Sequence, residues 1–288
     1  MDIVLKPSSS EHIEKYVDLY KVCFPHALHL RTQYLSWLYY KNPAGKAIGA
    51  DAWRGSKIIG QVLALPGQYF LHGEIVQGLL AVNVAVHPSC EGGHLFKKLG
   101  LSMCEYGAAA GYRFVIGVAN KAATFGWLFL MGFQLVAPLK ARVGIANLCL
   151  RKTSENIINA TKLRHVWNEN TITWRLSNPL KQSFLKIDKD KNWAIAYTSA
   201  DKFGLYAVAE FPLNGSNIYG LHSSIASSLM PKVFLGLIPA YKFPNSYVTV
   251  PERFKPSPLN LIYKNLTDSK DRLDPSSCFI NFLDFDAF

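Results

Sequence analysis

Val82 to Phe133 limits what this chain can fold into more than any other stretch. It opens Val82-Asn83-Val84-Ala85-Val86-His87-Pro88 and continues Ser89-Cys90-Glu91-Gly92-Gly93-His94-Leu95-Phe96. The first segment is short and mostly β-branched, as befits a strand buried on both faces. Leu95, Leu99, Met103, Tyr106 and Ala110 then keep helical spacing, and Gly111 is placed to end that helix. Arg113 to Val118 reads as a second strand, and a further helical run from Asn120 closes at Gly132-Phe133. Strand, glycine-bearing turn, helix and strand imply a parallel pair joined by a right-handed crossover. The expected fold class is mixed α/β.

A Gly-Gly turn that opens a helix lets a ligand approach the backbone closely. The free N–H groups of the first turn and the helix dipole favour a phosphate there. The same two residues also suit a tight turn that binds nothing. The formal charge of +11 favours an anionic partner. Nucleic acid would call for clustered Lys and Arg, whereas the basic residues here are scattered. The densest run, Lys186 to Lys191, alternates with Asp188 and Asp190 and reads as a solvated loop. A small polyphosphate fits the charge better. Cys23, Cys90, Cys104, Cys149 and Cys278 are dispersed, odd in number and without CxxC spacing, which implies reduced thiols, a cytoplasmic location and no zinc site. His87 and His94 do not share a ligand spacing on one helix, so no metal is expected. With no run of eighteen apolar residues and a polar Ser8-Ser9-Ser10-Glu11 after the start, neither a membrane span nor a signal segment is expected.

Val84-Ala85-Val86-His87-Pro88, followed by Gly92-Gly93-His94-Leu95-Phe96 and Leu99, resembles the acyl-CoA pyrophosphate loop of the GNAT superfamily of N-acyltransferases. Asn120-Lys121-Ala122-Ala123 and Gly132-Phe133 sit where that superfamily places an Asn, a helix and a closing Gly-Phe. The loop departs from the usual Arg or Gln, two residues, Gly, one residue, Gly or Ala: those positions hold Glu91, His94 and Phe96. The family holds pyrophosphate through main-chain amides, so this does not by itself abolish binding, but Glu91 brings a negative charge beside a polyphosphate and should weaken it. The resemblance implies acyl-CoA contacts at Val84, Ala85, Val86, Glu91, Gly92, Gly93, His94, Leu95 and Phe96. Main-chain N–H groups of Val84 to Val86 would face the acyl carbonyl. It further implies that Asn120 holds the pantetheine arm, that Phe125 and Trp127 wall the acyl group, and that Asn83 points to the acceptor. A neutral amide cannot serve as a general base, so Asn83 has a positioning role or holds a water. Histidine is a residue type suited to a base, and nothing in the sequence selects among His26, His29 and His72.

Earlier in the chain, residues 11–23 read as a helix capped from Ser8 to Ser10, and Thr32 to about Lys41 as a second. Ala50 to Trp53 pairs with Lys57 to Leu65, and Gln68 to Leu71 with Glu74 to Gln77 around His72-Gly73. Trp37-x-Tyr39-x-x-Asn42-Pro43-x-Gly45 is compatible with a core aromatic face and a helix stop. It also resembles one GNAT branch linked to bacterial surface-polysaccharide synthesis, and that resemblance implies an acceptor pocket near His26, Trp37 and Tyr39. In the second half, Trp174 to Pro179 echoes Trp37 to Pro43, followed by strand-like Ala194 to Tyr197 and Leu205 to Phe211. Phe279 to Phe288 alternates like the family's closing strand. Residues 239–266 carry five prolines and read as loop and edge strands. The expectation is a GNAT domain over 1–150 and a degenerate GNAT-like lobe over 151–288.

By resemblance, the activity is transfer of an acyl group from acyl-CoA to the amine of a nucleotide-linked amino sugar, by direct attack, with a homodimer left open. Direct attack is favoured because no Cys or Ser sits beside a suggestive base. Two rivals stay open. One is a peptidoglycan-type aminoacyl transferase of tandem GNAT fold, and the other a non-catalytic CoA-binding scaffold.

Overall fold

The computed structural model describes residues 2–90, 94–187, 193–200, 204–213, 230–254 and 257–285. In chain order, these begin with β1 (Ile3–Pro7), α1 (Ile13–Cys23), α2 (Thr32–Tyr40), β2 (Ile48–Arg54), β3 (Lys57–Leu71) and β4 (Glu74–Val86). Next come α3 (His94–Ala109), β5 (Phe114–Ala119), α4 (Lys121–Phe125), a π-turn (Gly126–Leu130) and β6 (Gln134–Pro138). The second half adds β7 (Lys140–Gly144), α5 (Ser154–Ala160), β8 (Leu163–His165), α6 (Glu169–Leu176), β9 (Ser183–Ile187) and β10 (Trp193–Ser199). It ends with β11 (Tyr206–Pro212), β12 (Lys232–Gly236), β13 (Val248–Thr249), β14 (Asn260–Asn265) and β15 (Cys278–Phe279).

Contacts divide the chain into two units, each interleaved with the other in sequence. One comprises residues 1–67, 76–136 and 259–272, and the other 68–75, 137–258 and 273–288. A single boundary near residue 150 is therefore not how the chain divides. The hairpin tip of β3 and β4 goes with the second unit, and β14 with the first. Long-range strand pairing overrides sequence proximity at both places.

In the first unit the strands lie in the order β1-β2-β3-β4-β5-β14-β6. Two expected hairpins merge here, because β3 and β4 run through the segments the sequence divides. α3 covers the sheet with Leu95, Leu99 and Met103, which pack with Ala50, Ala52, Val62, Leu79 and Val115. It stops at Gly111, whose φ of +87° only glycine adopts without strain. α1 and α2 bury Tyr16, Tyr20, Leu35, Leu38 and Tyr39. β4 and β5 run parallel, with Leu79 opposite Val115, Leu80 opposite Ile116 and Ala81 opposite Gly117. There the register ends, although β4 continues to Val86 and β5 to Ala119. The two strands part like a wedge.

β14 fills the place between β5 and β6, antiparallel to β5 with Asn260 opposite Ala119 and Asn265 opposite Phe114. Five prolines over 239–266 predict loop and edge strands here, and the last three, at 251, 256 and 258, lie nearest to β14. All three precede the strand. Conversely, the expected closing strand over 279–288 shrinks to Cys278–Phe279, with 286–288 outside the described residues. Asn281 is the reason: its Oδ1 accepts from the Leu283 amide at 3.0 Å, and its own amide donates to Asp284 at 2.8 Å. These local bonds turn the chain where alternation would extend it.

The second unit has a sheet in the order β13-β7-β12-β11-β10-β9. β10 and β11 are antiparallel, as the pattern implies, and β11 and β12 are parallel. Its core gathers Trp167, Trp193, Tyr197, Phe211, Phe234 and Phe282. His165 stacks on Trp167 with ring centroids 3.8 Å apart, and burial pushes its imidazole down to about 3 from 6.5. Burial pushes Asp284 the other way, up to about 7 from 3.8. Below the unfolded value of 6.5, the unfolded chain takes the His165 proton first, so that residue's contribution is lost as pH falls towards 3. Asp284 keeps its proton longer in the folded state, so its contribution grows as pH falls through 7. The two oppose each other. His165→Phe removes one side, and melting curves at about pH 5 and about pH 7.5 should show the variant more stable at the lower pH, with wild type flatter between them.

Among the described residues no helix is long and apolar enough to cross a membrane, and no three His, Cys, Asp or Glu side chains gather as a metal site.

Candidate active site

Asn83 stands at the open end of the wedge. Its φ of +43° is unusual for a residue other than glycine and breaks the extended run of β4 just past the last pairing with β5. The half-buried side chain donates from Nδ2 to the Tyr39 hydroxyl at 2.8 Å. Tyr39 is fully buried at the end of α2. The motif after it holds that helix end on β3. Asn42 Nδ2 donates to the Pro66 carbonyl at 2.8 Å, its Oδ1 accepts from the Ala44 amide at 3.0 Å, and the Ala47 amide donates to the Tyr39 carbonyl at 2.7 Å. Asn42, Pro43 and Gly45 therefore fix where the Tyr39 hydroxyl points.

Behind Tyr39 lies a buried polar chain. The Tyr20 hydroxyl is 2.9 Å from that of Tyr39 and donates to Gln61 Oε1. Gln61 Nε2 donates to Asp51 Oδ1 at 3.4 Å. Asp51 also accepts from Ser8 Oγ at 2.9 Å and from Tyr16 at 2.8 Å, and His12 Nδ1 lies 3.3 Å from it. Asp51, Gln61 and Tyr16 are completely buried. Burial pushes the Asp51 carboxyl up against these bonds, which pull it down. It also pushes the Tyr20 phenol well above its ordinary value, so that hydroxyl keeps its proton. Sequence reasoning missed Asp51, Gln61 and Tyr20. The available signal was Asp51 and Gln61 in otherwise apolar strands, and they are direct partners across β2 and β3.

On the other arm, Asn120 caps α4, its Oδ1 accepting from the Ala123 amide at 2.9 Å. Trp127 is 3% exposed and packs edge-on between Phe96 and Phe133. Phe125 is exposed and lies against exposed Phe129, ring centroids 4.9 Å apart. Ala85 is buried, Val84 and Val86 are half-buried, and the Val86 carbonyl accepts from Cys23 Sγ at 3.4 Å. In α3, His94 is exposed, Leu95 is buried and Phe96 half-buried, while Lys97 and Lys98 face solvent. Glu91, Gly92 and Gly93 lie outside the described residues. The loop before them is set by His87, whose Nδ1 accepts from the Ser89 amide at 3.1 Å. Trp37 is 5% exposed and stacks obliquely on Tyr34, so it belongs to the core of the helical layer. His26, His29 and His72 are all exposed.

A splayed parallel pair, a bent residue at the fork and a helix starting just beyond it define the GNAT fold, that of acyl-CoA-dependent N-acyltransferases. Residues 5–129 match the family model described as an acetyltransferase (GNAT) domain. No curated protein matches the chain. Among solved structures, a conserved protein of unknown function from Enterococcus faecalis V583 is similar, with a TM-score of 0.62 and 12% identity over 92% of this chain and 73% of that one. A GCN5-related N-acetyltransferase from Anabaena variabilis ATCC 29413 gives 0.59 and 13% over 92% and 73%. Another from Kribbella flavida gives 0.60 and 13% over 92% and 72%. At such identity these likenesses concern the fold.

Proposed function

We propose that the chain transfers an acyl group from acyl-CoA to the amine of a nucleotide-linked amino sugar. The observation that carries this is the wedge between β4 and β5 with Asn83 at its fork. Acyl-CoA supplies a thioester carbonyl activated for attack. The residues present suit it: the first turn of α3 has no acidic residue among those described and two exposed lysines, Lys97 and Lys98, follow it. In this reading Gly92, Gly93 and the amides up to Phe96 take the pyrophosphate, with Glu91 a local cost. Val84 to Val86 line the thioester, Asn120 meets the pantetheine arm, and exposed Phe125 gives the acyl group an apolar wall, with buried Trp127 supporting it from the core.

The acceptor amine, neutral or having first lost a proton to solvent, attacks the carbonyl; the C–S bond breaks, and the surplus amine proton passes through solvent to the departing thiolate to give the thiol of CoA. Asn83 orients that amine. Tyr39 holds Asn83 and is itself held by the segment ending at Gly45, the segment that resembles the amino-sugar branch. That resemblance supports the sugar, and the basic charge supports a nucleotide diphosphate. The second unit is read as a GNAT-like lobe without a cofactor loop.

Calorimetric titration with acetyl-CoA and CoA tests the reading, with Gly93→Asp as the control. Micromolar binding by the wild type that is lost in the control is expected. A thiol-release assay across amino-sugar nucleotides then identifies the acceptor. No heat with either ligand would remove CoA as the donor.

A further inference from the structure

The buried chain from Asp51 to Asn83 fixes more than position. Each of its amides and hydroxyls can face two ways, as donor or as acceptor, and the carboxylate at one end dictates the choice at the other. Asp51 accepts hydrogens from Ser8, Tyr16 and Gln61, with His12 Nδ1 3.3 Å away. A carboxylate only accepts, so the Gln61 amide must turn its Nε2 towards it. That leaves Gln61 Oε1 to accept; the Tyr20 hydroxyl also lies 3.3 Å from the Asn83 main-chain carbonyl, and its single proton goes to the much closer Gln61 oxygen. The Tyr20 oxygen must then accept from Tyr39 across the 2.9 Å contact. With the Tyr39 proton so committed, its oxygen accepts from Asn83 Nδ2. Asn83 is left with Oδ1 as the atom it offers to the fork.

Resting on the acyltransfer reading above, we infer that Asp51 sets the polarity of the site: through Gln61, Tyr20 and Tyr39 it holds the Asn83 carbonyl oxygen towards the incoming amine. An oxygen there accepts an N–H of the acceptor and directs the nitrogen lone pair at the carbonyl to be attacked. An amide turned the other way would present its NH2 to the amine, with two donors facing each other. The chain is not a proton wire. Gln61 sits in its middle, and an amide passes a proton only through an unfavourable tautomer. Asp51, Gln61, Tyr20 and Tyr39 are accordingly positioning residues. The arrangement also explains why a carboxylate, a carboxamide and three tyrosines occupy the most buried part of a small domain. Every one of them has a partner, and the last partner faces the cleft.

The test uses the full chain and two readouts. In the first, the side-chain amide signal of Asn83 is followed by 15N–1H spectroscopy without substrate, assigned by its disappearance in Asn83→Ala. Tyr20→Phe breaks the chain but also removes a contact to the Asn83 main-chain carbonyl, so Gln61→Leu breaks it a step further back; both should shift that signal and speed its hydrogen exchange about tenfold or more. Tyr16→Phe also strips a hydroxyl from Asp51 but lies off the path, so it should lower the melting temperature and leave the Asn83 signal in place. In the second readout, Tyr20→Phe should lower kcat about tenfold with KM within about twofold. In an Asn83→Ala background it should do nothing further. An Asn83 signal unmoved by Tyr20→Phe or by Gln61→Leu, one moved equally by Tyr16→Phe, or losses that multiply in the double variant would each overturn the inference. Absence of transfer by the wild type would instead remove the proposed activity, and the spectroscopic arm alone would then decide the polarity.

Discussion

Glu210→Ala is expected to lower the stability of the second unit by about 3–5 kcal/mol, the largest single effect of any substitution considered. Glu210 is 4% exposed, and its two oxygens accept from the amides of Cys149 at 3.0 Å and Leu150 at 2.8 Å. Lys232, fully buried on β12, sits in its field and donates to the carbonyls of Ile145 at 3.2 Å and Met230 at 3.0 Å. The loop between β7 and α5 is held from every side. Tyr247 donates to the Ala146 carbonyl at 2.7 Å, Tyr241 to that of Leu148, and Tyr197 to Asn147 Oδ1 at 3.2 Å. Truncation strands two amides, removes a negative charge from the field of a buried ammonium and frees Cys149 from its left-handed turn at φ +59°. Urea unfolding read by near-ultraviolet circular dichroism measures the loss. Glu210→Gln keeps the shape and one acceptor, so it should cost less than half as much. An alanine variant within about 1 kcal/mol of wild type would show that the loop does not depend on the carboxylate.

Gly78→Val should be nearly as damaging, at about 3 kcal/mol or more, and should act on the first unit. A Cβ at Gly78 would lie 2.4, 2.7 and 2.9 Å from three carbons of the Phe114 ring. That ring is completely buried and packs on Tyr263 with centroids 5.7 Å apart, so it has nowhere to go. The relief must come from parting β4 and β5 at the base of the wedge, one residue before their register begins at Leu79 and Val115. A fall in melting temperature together with lost acetyl-CoA binding is the expected pair of results. Phe114→Leu in the same chain should restore part of both, because it removes the ring atoms that clash.

The wedge and its helix were legible because they are local. Val82 to Phe133 holds a strand, a crossover helix and a second strand within one window, with Asn120 and Gly111 marking helix ends by ordinary capping chemistry. What sequence could not show is what pairing brings in from far away. β14 reads as part of a proline-rich tail until its partner is known. Asp51 and Gln61 look like isolated polar residues in two strands until the register sets them opposite each other. Tyr39 was placed near the acceptor by resemblance, and Trp37 with it. The helix turns Tyr39 to Asn83 and Trp37 into the core, a difference that two residues of helical rotation create and that a motif does not record.

The strand order β5-β14-β6 also bears on how the molecule is made. Synthesis proceeds from the amino terminus, so β1 to β6 leave the ribosome long before Asn260–Asn265. During that interval β5, one wall of the cleft, has an open edge where β14 will lie, and β6 has nothing to pair with across it. Most of the second unit is translated in the meantime. A nascent chain cut short between β6 and β14 would carry Val82 to Phe133 whole and still lack the strand that joins β5 to β6. Completion of this sheet thus waits on residue 265, and ribosome-stalled fragments that end before β14 should expose the β5 edge to chaperones.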